Sequence, residues 1–152
     1  MNSPSENPQS AADREIVSTR LFDATREQVF QAWTDPVILA RWWGPKDFRN
    51  TFHEFDARPG GVWRFVMHGP DGTDYKNESV FREIEQPARI VFDHVSSPRF
   101  RVVATFDAEC GKTRVTFRMI FESVEALERV KSFVPECNEQ NFDRLAVQLA
   151  LL

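Results

Sequence analysis

The chain has 152 residues, of which 41% are hydrophobic, 12% are aromatic and 28% are charged, with a formal net charge of −4. This length corresponds to about one domain, which can build a hydrophobic core without a disulfide or metal staple. The acidic balance gives no basic excess that would indicate a nucleic-acid partner, and no apolar stretch reaches the roughly 18 residues of a membrane span.

The cysteines and the first residues predict the cellular setting. Cys110 and Cys137 belong to no CxxC motif or Cys/His cluster, so the sequence predicts no metal site, no cofactor and no disulfide. The polar start has neither the basic residues nor the apolar run of a signal peptide. We therefore expect a disordered tail over residues 1–14, one domain over residues 15–152, and a reducing, cytoplasmic location.

The first elements along the chain are a strand and two short helices. The alternating, β-branched run Glu15–Phe22 predicts a strand. Thr25 and Gln28 have the spacing of a capping box and predict the start of a helix. The pair Asp35–Pro36 repeats the start signal, a cap followed by a residue with fixed φ, and predicts a second short helix over Val37–Trp42.

Six strands are predicted after Phe48, because strand-like segments alternate with turn sequences. Short turns predict antiparallel pairing. In VWRFVM the side chains of Trp63, Phe65 and Met67 share one face, and in TRVTFRMIF those of Phe117 and Met119 do so. The turn sequences are RPGG (58–61), HGPDGT (68–73), EQPA (85–88), SSP (96–98) and ECGK (109–112).

Two helices close the sequence. Ser123 caps the first, and Pro135 opens the second, which is predicted to run to the C-terminus. Asp143 and Arg144 lie off its apolar stripe and are predicted to face solvent. The element order predicts an α+β domain in which the last helix covers the apolar face of one antiparallel sheet. The stripe of the last helix consists of Phe142, Leu145, Leu149 and Leu152.

An ordered set of motifs resembles the START-like helix-grip superfamily, also called SRPBCC. They are TRLFDATREQVFQAWTDPVILARWWGP, RPGGVWRF, PDGT, FREIEQPARIVF and NFDRLAVQLA. Within it, the chain is most similar to the branch named after the activator of the heat-shock-protein-90 ATPase, over about residues 15–151. The resemblance implies a curved antiparallel sheet of about seven strands around a long C-terminal helix, with two short helices after the first strand. It also implies a cavity for hydrophobic small molecules and favours a homodimer.

The candidate ligand-binding residues combine large apolar side chains with a few polar ones. All of them could instead fill the core or bond the sheet. Trp42 and Trp43 are consecutive and cannot share one helix face, so we expect one to anchor the helix and the other to border the entrance. The set is Trp33, Trp42, Trp43, Phe55, Trp63, Phe65, Met67, Tyr75, Asn141 and Leu145.

The candidates for proton transfer are His94, His53 and Tyr75. His94 shares strand parity with Phe92, and His53 shares it with Phe55, so both are inner-face candidates. Each could equally be a structural or surface residue, because spacing fixes no partner for any of them.

Three functions are compatible with these observations. The leading hypothesis is binding of a small hydrophobic or aromatic molecule between the sheet and the C-terminal helix. The second is a cyclase-like or dehydratase-like enzyme acting on an aromatic or polyketide-type substrate, which leaves open whether the protein is an enzyme. The third is a module that stimulates a chaperone ATPase. It ranks last, because in relatives this activity accompanies an additional N-terminal domain and we expect only a short tail before the first strand.

Overall fold

The computed structural model describes residues 10–152. Seven antiparallel strands form one sheet in the order β1-β7-β6-β5-β4-β3-β2, so that β2 to β7 follow one another as a meander and β1 pairs with β7. This arrangement confirms the predicted α+β helix-grip class. The strands are β1 (Glu15–Phe22), β2 (Arg49–Phe55), β3 (Val62–His68), β4 (Asp74–Glu85), β5 (Arg89–His94), β6 (Phe100–Glu109) and β7 (Lys112–Phe121).

Four α-helices accompany the sheet within the described residues. The capping box at the start of α1 is formed, because Thr25 Oγ1 accepts from the Gln28 amide at 3.2 Å and Gln28 Oε1 accepts from the Thr25 amide at 3.0 Å. In this part of the chain, none of the helices is long and apolar enough to cross a membrane. The helices are α1 (Arg26–Thr34), α2 (Pro36–Trp42), α3 (Val124–Val130) and α4 (Val134–Ala150).

The predicted disordered tail, residues 1–14, needs correction at its end. Residues 1–9 lie outside the described residues. Ala11–Arg14 form a 3-10 helix and are not disordered. Ser10 Oγ donates to Asp13 Oδ2 at 2.8 Å, and Arg14 Nη1 donates to the backbone oxygen of Phe121 at 2.7 Å. The first bond closes the segment on itself and the second attaches it to the end of β7, so the ordered fold begins before Glu15.

The inner face of the sheet and one face of α4 form the core. Phe142 and Leu145 are 2% and 0% exposed, and the Phe142 ring meets Phe22 of β1 edge to face at 5.5 Å. Leu149 is also buried, whereas Leu152, the last residue of the predicted stripe, is 49% exposed because α4 ends at Ala150. The helix therefore covers the sheet with three of the four predicted stripe residues.

Two β-bulges interrupt the alternation of side chains. The register shifts between Phe52 and Glu54 in β2, and between Phe81 and Glu83 in β4. An extra residue in one strand reverses the parity of the residues that follow it. Phe55 therefore lies on the same face as Phe52, and the two rings stack at 5.8 Å.

Replacement of Leu145 by alanine tests how strongly α4 holds the sheet. Because Leu145 is fully buried, Leu145→Ala should lower the free energy of unfolding by about 2–5 kcal/mol, as measured by urea denaturation. Val147→Ala is the matched control, since Val147 is 60% exposed on the same helix, and it should change stability by less than about 0.5 kcal/mol. Equal effects of the two substitutions would contradict this account of the core.

Candidate functional site

A cavity of about 270 Å³ lies between the sheet and α4. Its volume is close to the lower end of the range of small-molecule pockets, roughly 300–1,000 Å³. Among the described residues, no charged side chain lines it. The wall consists of Trp43, Gly44, Pro45, Met67, Phe100, Phe117, Met119, Phe133, Val134, Cys137, Asn138 and Asn141.

The two consecutive tryptophans have different positions. Trp42 is fully buried, and its Nε1 donates to the backbone oxygen of Ala32 at 2.9 Å, which ties α2 to α1. Trp43 follows the end of α2 in an extended conformation, packs against Trp63 at 5.1 Å and lines the cavity. Trp42 is therefore the anchor, and Trp43 is the one that borders the cavity.

Arg144 of α4 holds the segment from Trp43 to Phe48 in place. Arg144 was predicted to face solvent, and this prediction was wrong, because the side chain is half-buried and donates to five backbone oxygens. The last carbonyls of a helix have no partner within the helix, and a guanidinium offers five N–H donors in one plane. Burial lowers the pKa of Arg144. The five acceptors, at 2.8–3.1 Å, are the oxygens of Arg41, Trp43, Gly44, Pro45 and Phe48.

Gly44 allows this segment to approach α4 and β3 closely. Its φ is +100°, a backbone conformation that residues other than glycine rarely adopt. A Cβ atom at this position would lie 2.6 Å from Cε of Met67. The Gly44 amide donates to Asn141 Oδ1 at 3.2 Å, which adds a second link between the segment and α4.

The cavity wall includes some of the predicted ligand-binding residues and omits others. Trp43, Met67 and Asn141 line it. Phe55 is half-buried against Trp63, at 5.8 Å between rings, and Tyr75 is 46% exposed. The remaining residues of the set are buried in the core outside the cavity wall: Trp33, Trp42, Trp63, Phe65 and Leu145.

Sequence reasoning did not select several residues of the wall. Phe117 and Met119 carried a usable signal, because the alternation in β7 placed both on the apolar face. Phe100 starts β6, and Phe133 and Val134 lie at the start of α4, where no periodic pattern indicates a wall position. Cys137 also lines the cavity, and burial together with nearby Glu136 raises the pKa of its thiol. This favours the neutral form, which is the less nucleophilic one.

His94 is buried on the inner face of the sheet, as its parity with Phe92 predicted. Its ring stacks on Phe100 with 4.5 Å between centroids. Nδ1 lies 2.7 Å from the backbone oxygen of Pro98, and Nε2 lies 2.7 Å from Oδ1 of Asn77. Both partners are carbonyl oxygens that only accept, so each favours a proton on the ring nitrogen that it faces. Burial lowers the pKa of His94, while hydrogen bonds at Pro98 and Ser96 oppose that shift without cancelling it.

None of the three proton-transfer candidates lines the cavity. His94 instead borders an open depression of about 550 Å³, where Arg82 and Arg101 pair with Asp93 at 2.8 and 2.7 Å. These bonds, led by that from Arg101, lower the pKa of Asp93. The prediction that His53 shares the face of Phe55 was wrong, because the bulge in β2 leaves His53 exposed on the outer face.

One family model and several solved structures match the chain. The family model described as "Activator of Hsp90 ATPase homolog 1-like protein" matches residues 23–150. A crystal structure from Rhodobacter sphaeroides has 26% identity and a TM-score of 0.84, covering 96% of this chain and 97% of that one. A solution structure from Arthrobacter aurescens has 25% identity and a TM-score of 0.86, with coverage of 94% and 90%. A crystal structure from Nitrosomonas europaea has 19% identity and a TM-score of 0.84, with coverage of 92% and 96%. No functionally curated protein matches the chain.

Acidification should destabilise the fold through His94. In the unfolded chain a histidine protonates near pH 6.5, about the ordinary value, whereas burial holds the native pKa lower. The unfolded state therefore binds more protons between the two pKa values, and stability falls as the pH drops below about 6.5. His94→Gln should lose less stability than the wild type between about pH 7.5 and pH 5.5, as measured by urea denaturation. Exposed His53→Gln is the control, and an equal loss in the wild type and His94→Gln would refute the assignment.

Removal of the Arg144 guanidinium should loosen the wall of the cavity. Arg144→Met leaves partly buried carbonyls without their charged donor and should reduce the free energy of unfolding by about 2 kcal/mol. Amide hydrogen exchange in residues 43–48 should also become faster. Arg144→Lys should have an intermediate effect, because an ammonium cannot span all five oxygens. Exposed Arg129→Met is the control, and protection of residues 43–48 equal to that of the wild type would contradict the proposed link.

Proposed function

The chain belongs to the family of activator of Hsp90 ATPase homolog 1-like proteins, within the START-like helix-grip superfamily, and on this basis we propose that it binds a small hydrophobic or aromatic molecule between the sheet and α4. Family and fold support a ligand-binding or activator-type module. The observation that carries the finer proposal is the 270 Å³ cavity, whose wall is almost wholly apolar and contains no charged side chain among the described residues. Such a site favours apolar molecules, because removing the apolar surface of the ligand and of the wall from water makes the binding free energy more favourable.

The shape of the wall indicates the size and type of ligand. Trp43, Phe100 and Phe117 contribute aromatic rings, which pack well against a flat ring in edge-to-face or offset arrangements. Met67 and Met119 contribute flexible thioether chains that adapt to irregular ligands. The small volume suits a molecule with one or two rings, such as a simple aromatic, better than an extended lipid chain.

A proton-transfer reaction has less support than binding. Both ring nitrogens of His94 already lie at 2.7 Å from protein oxygens, and His94 is outside the cavity wall. Tyr75 and His53 are exposed. General acid–base catalysis requires such a group within hydrogen-bond reach of the bound substrate.

Stimulation of a chaperone ATPase, a homodimer and a cytoplasmic location stay predictions.

A neutral fluorescent probe tests binding directly. Titration of the protein with N-phenyl-1-naphthylamine should give a saturable rise in probe fluorescence, since the dye brightens in apolar surroundings. Cys137→Phe places a ring in the cavity and should weaken probe binding at least about tenfold, a change of about 1.4 kcal/mol in binding free energy.

Val147→Phe provides the matched control, because it adds the same ring to an exposed position of α4. It should bind the probe as the wild type does. Saturable binding that Cys137→Phe does not weaken would place the probe outside the cavity and refute the proposal. The thermal stability of each variant, measured in parallel, separates cavity filling from unfolding.

A further inference from the structure

Two asparagine side chains introduce polar atoms into the otherwise apolar wall of the cavity. Asn138 and Asn141 are 6% and 8% exposed and lie three residues apart on α4, where side chains at this spacing are neighbours on one helix face. Buried amide groups normally have their hydrogen-bonding capacity filled by protein or water. The amide atoms that have no protein partner therefore indicate which hydrogen bonds the cavity can offer to a ligand.

Asn141 uses its oxygen and leaves its nitrogen uncommitted. The oxygen accepts from the amide of Gly44, and since an N–H can only donate, this contact fixes the orientation of the side chain. Within residues 10–152, Nδ2 of Asn141 has no hydrogen-bond partner. Asn141 therefore offers the cavity a donor.

Asn138 has the complementary arrangement. Its nitrogen donates to Ser18 Oγ at 3.2 Å and to the Met119 sulfur at 3.5 Å. A thioether accepts but does not donate, so the end of the amide near Met119 is the NH₂ group. In the described part of the chain, Oδ1 of Asn138 has no partner. Asn138 therefore offers the cavity an acceptor.

We propose that the ligand carries one uncharged polar group that both donates and accepts hydrogen bonds, as a ring hydroxyl does, and that Asn138 and Asn141 bind it together. This inference rests on the proposed function, because it names the class of ligand for the same cavity. The ligand group donates to Oδ1 of Asn138 and accepts from Nδ2 of Asn141. The remaining apolar part of the ligand contacts the aromatic wall.

An ionised group is disfavoured at the same position. Burial of a carboxylate away from water requires a paired cation or several donors, and the described wall contains no cationic side chain. The guanidinium of Arg144 is committed to five backbone oxygens. The acceptor oxygen of Asn138 would also repel a carboxylate. The cavity should therefore reject anionic analogues of a ligand that it binds.

A matched series of probes tests the polar requirement on the unmodified protein. Equilibrium dialysis at neutral pH should show that 2-naphthol, which is uncharged, binds at least about tenfold more tightly than 2-methylnaphthalene or ionised 2-naphthoate. The three molecules share one ring system and differ in the polar group alone. Their ranking therefore reports recognition of that group.

Two variants assign the recognition to the asparagines. Asn141→Leu removes the NH₂ donor, and Asn138→Leu removes the acceptor oxygen, both at similar volume and without adding a charge. Each should weaken 2-naphthol binding about tenfold and change 2-methylnaphthalene binding by less than about threefold. Gln148→Leu is the control, since it makes the same amide-to-apolar change on α4 outside the cavity wall.

The outcomes separate this inference from the proposed function. If 2-methylnaphthalene or 2-naphthoate binds as tightly as 2-naphthol, the cavity binds aromatics but the asparagine pair does not select them, and the inference fails alone. If the variants weaken 2-naphthol and 2-methylnaphthalene equally, the inference also fails. If none of the three probes nor N-phenyl-1-naphthylamine binds saturably, both fail together.

Discussion

The five hydrogen bonds from Arg144 join the helix that covers the sheet to the segment that follows α2. Without these bonds the carbonyl groups at the end of α2 would be poorly satisfied beside α4. The same bonds position Trp43, Gly44 and Pro45, which form one side of the cavity. Arg144 bonds only the backbone of this segment, so the contact does not depend on which side chains the segment carries. Gly44 is the exception, because a Cβ there would meet Met67.

The aromatic residues serve two purposes that composition alone does not distinguish. Trp63 stacks on Phe65 at 4.5 Å and meets Phe92 at 5.5 Å, so these rings fill the core. Trp43 contacts this core at Trp63 and also borders the cavity. Protein interiors are close-packed, so an apolar space of this size forfeits contacts that a larger side chain would supply. The rings of this domain therefore divide between core packing and the cavity wall, and Trp43 belongs to both.

Local chemistry made much of the fold predictable. The capping box at Thr25, the turn sequences and the alternation in β3 and β7 each depend on neighbouring residues, and the structure contains all of them. The bulge in β2 was not predictable, because no residue in the run marks where the strand takes up an extra residue. The bulge nevertheless places His53 on the outer face. Arg144 was misjudged for a related reason. Helical periodicity separates the apolar face of a helix from its polar face. It cannot show that backbone carbonyls of a segment distant in sequence lie beside the polar face and need a donor.

The asparagine pair explains how a small apolar cavity can be selective. Apolar contacts alone discriminate weakly between ligands that differ by one small group, whereas an unpaired buried donor or acceptor penalises any ligand that leaves it unsatisfied. In the ligand-free protein, water can satisfy Asn138 and Asn141, and a ligand must replace that water with equivalent hydrogen bonds. One amide end of each residue is already used to attach α4 to β1 or to the Gly44 segment. The bonds that hold the helix in place therefore also fix the orientation of the two remaining amide ends.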